Sequence, residues 1–277
     1  MSKRKLLWNE EKLKRYLAEE RGSGEGSNYK PWLTIQSMPS DGRASRMLGI
    51  KTGRVHHFFS DTQRKYFLTL DWFDETVVDI REHYPLLDLT KVVDDYDLDL
   101  RKYQDENEHY VLTTTFLISK RMPNGEIVEF ARSIKYASNL DKKSTLESLE
   151  VQRRYFEKKG IDFGIVTNKD LNMVQVKNIE WLNPIISMNY KHENISDIEM
   201  MIKSRYKTEE IPFNKLLEAI DSDYGFEAGT AVLVFKSMVA NRKVVIDFSH
   251  PINLRTVIDI IFKEEKEYDT CESDIQR

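Results

Sequence analysis

Two β-prone runs meet at Pro123-Asn124-Gly125. Asn-Gly readily takes the positive φ angles of a tight hairpin turn, so Tyr110–Ser119 and Glu126–Ala137 are expected to pair as antiparallel neighbours. The segments on either side must then cover that hairpin. Ser60 is a good helix N-cap and Asp61 suits a first turn, which predicts a helix to about Asp71. Val77–Ile80 reads as a short strand. Ser144-Thr145-Leu146-Glu147 has the form of a capping box, opening a helix to about Lys159. Ile161–Thr167 reads as a buried strand and Leu171–Leu182 as a helix stopped by Pro184. This order of helices and strands predicts a mixed α/β domain over residues 29–186.

The flanking segments differ in character. Asn9–Glu20 reads as a short helix, and the Gly/Ser run from Gly22 to Ser27 as a flexible hinge or as an ordered loop against a partner, so residues 1–28 form a basic N-terminal segment. Residues 88–108 are acidic and irregular, as expected of an exposed insertion. After residue 187, Ile195–Arg205, Pro212–Asp221 and Thr230–Asn241 read as three helices. Val244–Phe248 reads as a strand, and an apolar run spans Val257–Phe262. Three helices with a small β element over residues 187–277 suit a winged-helix-like domain.

Charge narrows the partners. Residues 1–65 hold 14 Lys/Arg against 7 Asp/Glu, whereas residues 66–108 hold 4 against 13. The first segment can meet phosphates, through a loop carrying Arg43, Arg46, Lys51 and Arg54, with His56 and His57 placed for ring packing or phosphate contact. A solvated basic face is the alternative. The single cysteine, Cys271, cannot form an internal disulfide or build a Cys/His zinc site. No run approaches the ~18 apolar residues of a membrane helix, so an intracellular chain without membrane contact is expected.

Spacing gathers polar residues around the hairpin. Gln63 shares a helical face with Tyr66, Phe67 and Leu70, and Gln152 shares one with Leu149 and Phe156. Strand alternation puts Thr113 and Thr115 on one face, and Glu129, Ser133 and Lys135 on one face. Gln63, Thr115, Ser133, Gln152 and Lys135 can converge.

Residue for residue, the chain resembles the TnsA family, endonuclease subunits of heteromeric transposons. The matching blocks include Arg21-Gly22-Ser23-Gly24, Pro31-Trp32-Leu33-Thr34, Lys51 to His57, Ser60-Asp61, Asp79-Ile80-Arg81-Glu82, Arg153-Arg154-Tyr155 and Asn178 to Leu182. The resemblance implies a restriction-endonuclease-like (PD-(D/E)xK) N-terminal domain and a winged-helix-like C-terminal domain. It also implies a cytoplasmic, nucleoid-associated enzyme that cuts 5′ strands at transposon ends with Mg²⁺. The implied partners are transposon-end DNA, a TnsB-like transposase and a TnsC-like AAA+ ATPase. The family's catalytic lysine falls on Lys135. Its metal-binding carboxylates fall on Gln63, Thr115 and Gln152, and the glutamine before its lysine falls on Ser133. Mg²⁺ prefers anionic oxygens, and these positions have lost about three formal negative charges. Three readings follow: a subunit that assembles the complex with a degenerate nuclease site, an active Mg²⁺-dependent endonuclease, and a stand-alone DNA-binding module.

Overall fold

The Asn-Gly turn forms, with Gly125 at φ +86°, and the hairpin it closes becomes the middle of a four-stranded sheet. A computed structural model describes residues 10–37, 43–93, 100, 111–188 and 190–263. Strands β3 (Val77–Pro85), β4 (Thr113–Arg121), β5 (Ile127–Lys135) and β6 (Asp162–Thr167) lie in that order. The first two pairings are antiparallel and β5–β6 is parallel. A parallel neighbour needs a crossover, and α4 (Lys143–Lys158) supplies it. Its hydrophobic residues Val151, Tyr155 and Phe156 cluster with Leu117 and Ala131 beneath one sheet face. On the other face, Phe67 and Leu70 of α2 (Asp61–Trp72) cluster with Ile80, Phe116, Ile118 and Ile134. Strand β4 is therefore buried on both sides, and its hydrophobic pattern does not alternate for that reason.

Several elements depart from their sequence reading. Strand β3 reaches Pro85 because it pairs with β4 as far as Pro85–Thr113. Helix α4 starts at Lys143, and its N-cap, Lys142, makes no side-chain cap bond. Ser144–Glu147 thus lies inside the helix instead of capping it. Ser60 does cap α2, its hydroxyl accepting from the Gln63 N–H. The acidic insertion is anchored, since Leu89, Val93 and Leu100 are buried in the core under α4. Residues 94–99 and 101–110 lie outside the described residues, as does Cys271.

The Gly/Ser run is a fastened loop and not a hinge. It follows α1 (Glu10–Ala18). The Gly22 N–H donates to the Lys30 carbonyl at 2.6 Å, and the Lys30 N–H to that of Ser23 at 3.0 Å. Gly22 sits at φ +80°, and a Cβ there would stand 2.3 Å from Pro85 Cγ. Gly22→Ala is accordingly expected to destabilise the fold by about 1–3 kcal/mol, read as a lower Tm. An unchanged Tm would mean that the loop yields freely.

The chain divides into two units, residues 1–172 and 173–277. The boundary precedes α5 (Met173–Met188), whereas the sequence reading puts it at residue 186. The difference has a local cause. Asn178 of α5 donates to the carbonyls of Phe248 (3.2 Å) and His250 (2.7 Å), and accepts from the Ile252 N–H (3.1 Å). Pro184 does not stop α5 either. Val176, Ile179, Leu182 and Ile185 form a buried stripe across it, and burying those side chains outweighs the ~3 kcal/mol that an internal proline costs.

The second unit continues with α6 (Ile195–Tyr206), α7 (Phe213–Tyr224) and α8 (Thr230–Ala240). Strands β7 (Val244–Ile246) and β8 (Ile260–Phe262) then pair antiparallel. Ile198, Ile202, Leu217, Ile220, Val234 and Phe235 are fully buried. Asp221 fixes the α7–α8 turn by accepting from the Gly229 and Ala231 N–H groups at 2.7 and 2.8 Å. No helix among the described residues is long and apolar enough to cross a membrane.

Candidate functional site

Leu117 and Ala131 pair across the hairpin and pack toward α4. Strand parity puts Thr115, Ser133 and Lys135 on that same face, beneath a helix that buries Gln152. Each group then has a definite state. Thr115 is buried, and its hydroxyl accepts from the Ile134 N–H at 3.0 Å. Ser133 is buried. The Gln152 amide donates to the Ser148 carbonyl at 3.2 Å, while its buried Oε1 has no hydrogen-bond partner. Lys135 is half-buried, and burial lowers its pKa from the ordinary lysine value. Its side chain makes no ion pair or hydrogen bond with any described residue.

Gln63 does not join them by hydrogen bonds. It lies in the first turn of α2, the helix on the opposite sheet face. Its Oε1 accepts from the Phe59 N–H at 2.8 Å while its own N–H donates to Ser60 Oγ at 3.3 Å. This reciprocal arrangement resembles a capping box. Its signal was present in the sequence, where Gln63 follows Ser60 by three residues.

The residues on this face do not fit Mg²⁺. A hard dication takes carboxylate oxygens, and Thr115, Ser133 and Gln152 offer only neutral ones. The acid nearest in strand parity is engaged. Glu129, on the same face of β5, accepts from the Arg81 guanidinium, which also donates to Ser119 Oγ at 2.9 Å. Asp79 lies 3.4 Å from Arg81 and Asp61 lies 3.8 Å from Arg64, but Asp79 Oδ2 and Asp61 Oδ1 are buried without a hydrogen bond to any described residue. Among the described residues, no three of His, Cys, Asp and Glu are grouped to hold a metal.

The basic segment splits in two. Strands β1 (Ser45–Leu48) and β2 (Val55–Phe58) form a ribbon in which Arg46 faces His57. Arg43 and Arg46 are exposed, and Lys51 is half-buried. Arg54 and His56 turn inward, which corrects the expectation that they meet phosphates. Arg54 forms a two-pronged pair with Glu82, with Nη1–Oε1 at 2.8 Å and Nη2–Oε2 at 2.5 Å. It also donates to the carbonyls of Ile80 (2.7 Å) and Gly26 (3.1 Å). His56, with no exposed surface, bonds Glu82 through Nδ1 at 2.8 Å and meets Thr52 Oγ1 at 2.7 Å. Burial alone would raise the Glu82 carboxyl pKa, but hydrogen bonds from His56 and Arg54 hold it far below the usual range. Burial lowers the His57 pKa and takes that of His83 to about 4, so His83 is neutral at pH 7. Sequence reasoning noted Glu82 only as part of a matching block; its role as the hub of this network was missed.

Relatives account for the scaffold. A family model described as TnsA-like endonuclease N terminal matches residues 74–168, and one described as TnsA endonuclease C terminal matches residues 170–248. The junction between them falls beside the structural boundary at 172/173. The Transposon Tn7 transposition protein TnsA of Escherichia coli is 33% identical over 241 residues, covering 87% of this chain and 87% of that protein.

Proposed function

Because this chain belongs to the TnsA family of transposition endonucleases, we propose that it serves a heteromeric transposase as an assembly subunit that does not cut. In this reading the first unit is a restriction-endonuclease-like scaffold and the second a winged-helix-like module. The protein binds transposon-end DNA and links a TnsB-like transposase to a TnsC-like ATPase. Arg43, Arg46 and Lys51 contact phosphates, and His57 lies beside them on the ribbon. One observation carries the loss of cleavage. Where the resemblance calls for metal-binding carboxylates, the chain has Thr115, Gln152 and Gln63, with two of the three already committed to internal hydrogen bonds through the oxygen a metal would need. Mg²⁺ serves such a reaction by activating water and screening charge on phosphorus, and these residues do not hold it.

Calorimetric titration with Mg²⁺ and with Mn²⁺ tests the metal claim. The chain is expected to give no binding heat, whereas Thr115→Asp combined with Gln63→Glu and Gln152→Glu binds at least about tenfold more tightly, a change of ~1.4 kcal/mol. Equal affinity in both proteins would remove the degenerate-site reading.

A further inference from the structure

The β1–β2 ribbon turns one face to the core and the other to solvent. Met47, His56 and Phe58 lie on the inner face, and strand parity sends Arg46, Leu48, Val55 and His57 outward. Leu48 and Val55 are direct cross-strand partners, with exposures of 45% and 49%, and Ile50 in the turn that joins them is 51% exposed. Single exposed aliphatic residues are ordinary, but three at one end of one ribbon form a patch. Cations surround it: from Gly42 to Phe59 the sequence holds four Lys/Arg and no Asp or Glu, and of the four only Arg54 is buried. The turn is also held in place. Asp71 of α2, itself 5% exposed, accepts from the Ile50 and Lys51 N–H groups at 2.8 and 3.0 Å. The Gly53 N–H donates to the Gly49 carbonyl at 3.0 Å. A Cβ at Gly49 would stand 2.7 Å from both His56 Nε2 and Thr52 Oγ1, so the turn is packed tightly against its own ribbon.

A free phosphate would answer the cations and leave the aliphatic patch wet, and an apolar surface would do the reverse. DNA offers both, since phosphates flank each groove and apolar base faces lie between them once a step opens. Opening a step is costly, and a turn fixed in advance does not give way under that load. An acidic protein segment could mould itself to a loose tip and needs no such bracing. We propose that the ribbon enters a groove of DNA and that Ile50 wedges between two base pairs, with Leu48 and Val55 against the sugars and Arg46 and Lys51 on the adjoining phosphates. The inference rests on the DNA-binding reading above, and adds to it a deformation of the duplex that phosphate contacts alone do not produce.

The test uses the full chain and duplexes of the element's terminal sequence, in which a fluorescent adenine analogue quenched by stacking replaces one adenine after another. Binding is expected to raise its emission several-fold at one step. Ile50→Ala alters an exposed side chain and is expected to keep the Tm, to weaken binding about three- to tenfold and to lose that rise at saturating protein. Arg46→Ala is expected to keep the rise while lowering the salt slope of binding by about one. A photo-crosslinking residue in place of Val55, with duplex and partner transposase both present, is expected to capture DNA. If the chain binds the duplex with no rise at any step, or Ile50→Ala keeps the rise, the wedge is wrong and the DNA-binding reading stands. Capture of the transposase in place of DNA would overturn the wedge too, and make the ribbon a protein-docking surface. If the chain does not bind the duplex at all, both fall.

Discussion

Glu82→Ala is expected to cost about 3–5 kcal/mol of stability, because it leaves the buried Arg54 guanidinium without its counter-charge. Arg54 is about as enclosed as its partner, with side-chain exposures of 8% and 0%. The pair joins segments distant in sequence. Arg54 reaches the loop at Gly26 and strand β3 at Ile80, His56 anchors β2 to the same carboxylate, and the Tyr29 hydroxyl donates to the Glu82 carbonyl at 3.1 Å. Removing one carboxylate therefore loosens the ribbon and the N-terminal loop together. Denaturant unfolding with an unchanged m-value would read the loss. Replacing both partners, as Arg54→Met with Glu82→Leu, is expected to recover much of it, since two apolar groups leave no buried charge. A loss below about 1 kcal/mol for Glu82→Ala would mean that water reaches Arg54 and that the network is not a structural hub.

The prominence of Arg54 and His56 in the sequence shows where single-chain reading succeeds and where it stops. The Asn-Gly hairpin, the Ser60 cap and the C-terminal helices α6, α7 and α8 were legible because each depends on a few neighbouring residues. The polar face was partly legible for the same kind of reason. Alternation along a strand is local, so Thr115, Ser133 and Lys135 sort to one side from spacing alone. Charge partners are not local. Glu82 lies 28 residues from Arg54, and no pattern around either residue indicates that they meet. A basic loop and a buried ion pair look alike until the chain is folded. Gln63 illustrates a different limit, since its helical face was read correctly but its cap bond, written in Ser60 and Gln63 together, was overlooked in favour of a shared site. Helix α5 failed for an energetic reason: the rule that proline stops helices is a cost, and a continuous buried stripe can exceed it.

We propose that this scaffold no longer performs the strand-cutting chemistry of its family. Lys135 is retained, yet a lysine alone neither activates water nor screens two negative oxygens at phosphorus. In a metal-dependent nuclease those tasks belong to the cation, which contributes several kcal/mol to the barrier, equivalent to about a thousandfold or more in rate. On the proposed reading, a site without carboxylates to hold the metal forgoes that contribution whatever the binding geometry of the DNA. Recruitment of Glu129 would require it to leave Arg81, surrendering an existing ion pair.

Strand cleavage at a labelled transposon end tests this most directly, with Mg²⁺ or Mn²⁺ and the partner transposase present. The chain would run beside the variant carrying Thr115→Asp, Gln63→Glu and Gln152→Glu. The account predicts no 5′-strand cuts from the unaltered chain, at least about a thousandfold below the restored variant. Cuts at the 5′ strand by the unaltered chain, abolished by Lys135→Met, would contradict it and establish a working nuclease with a different set of metal ligands.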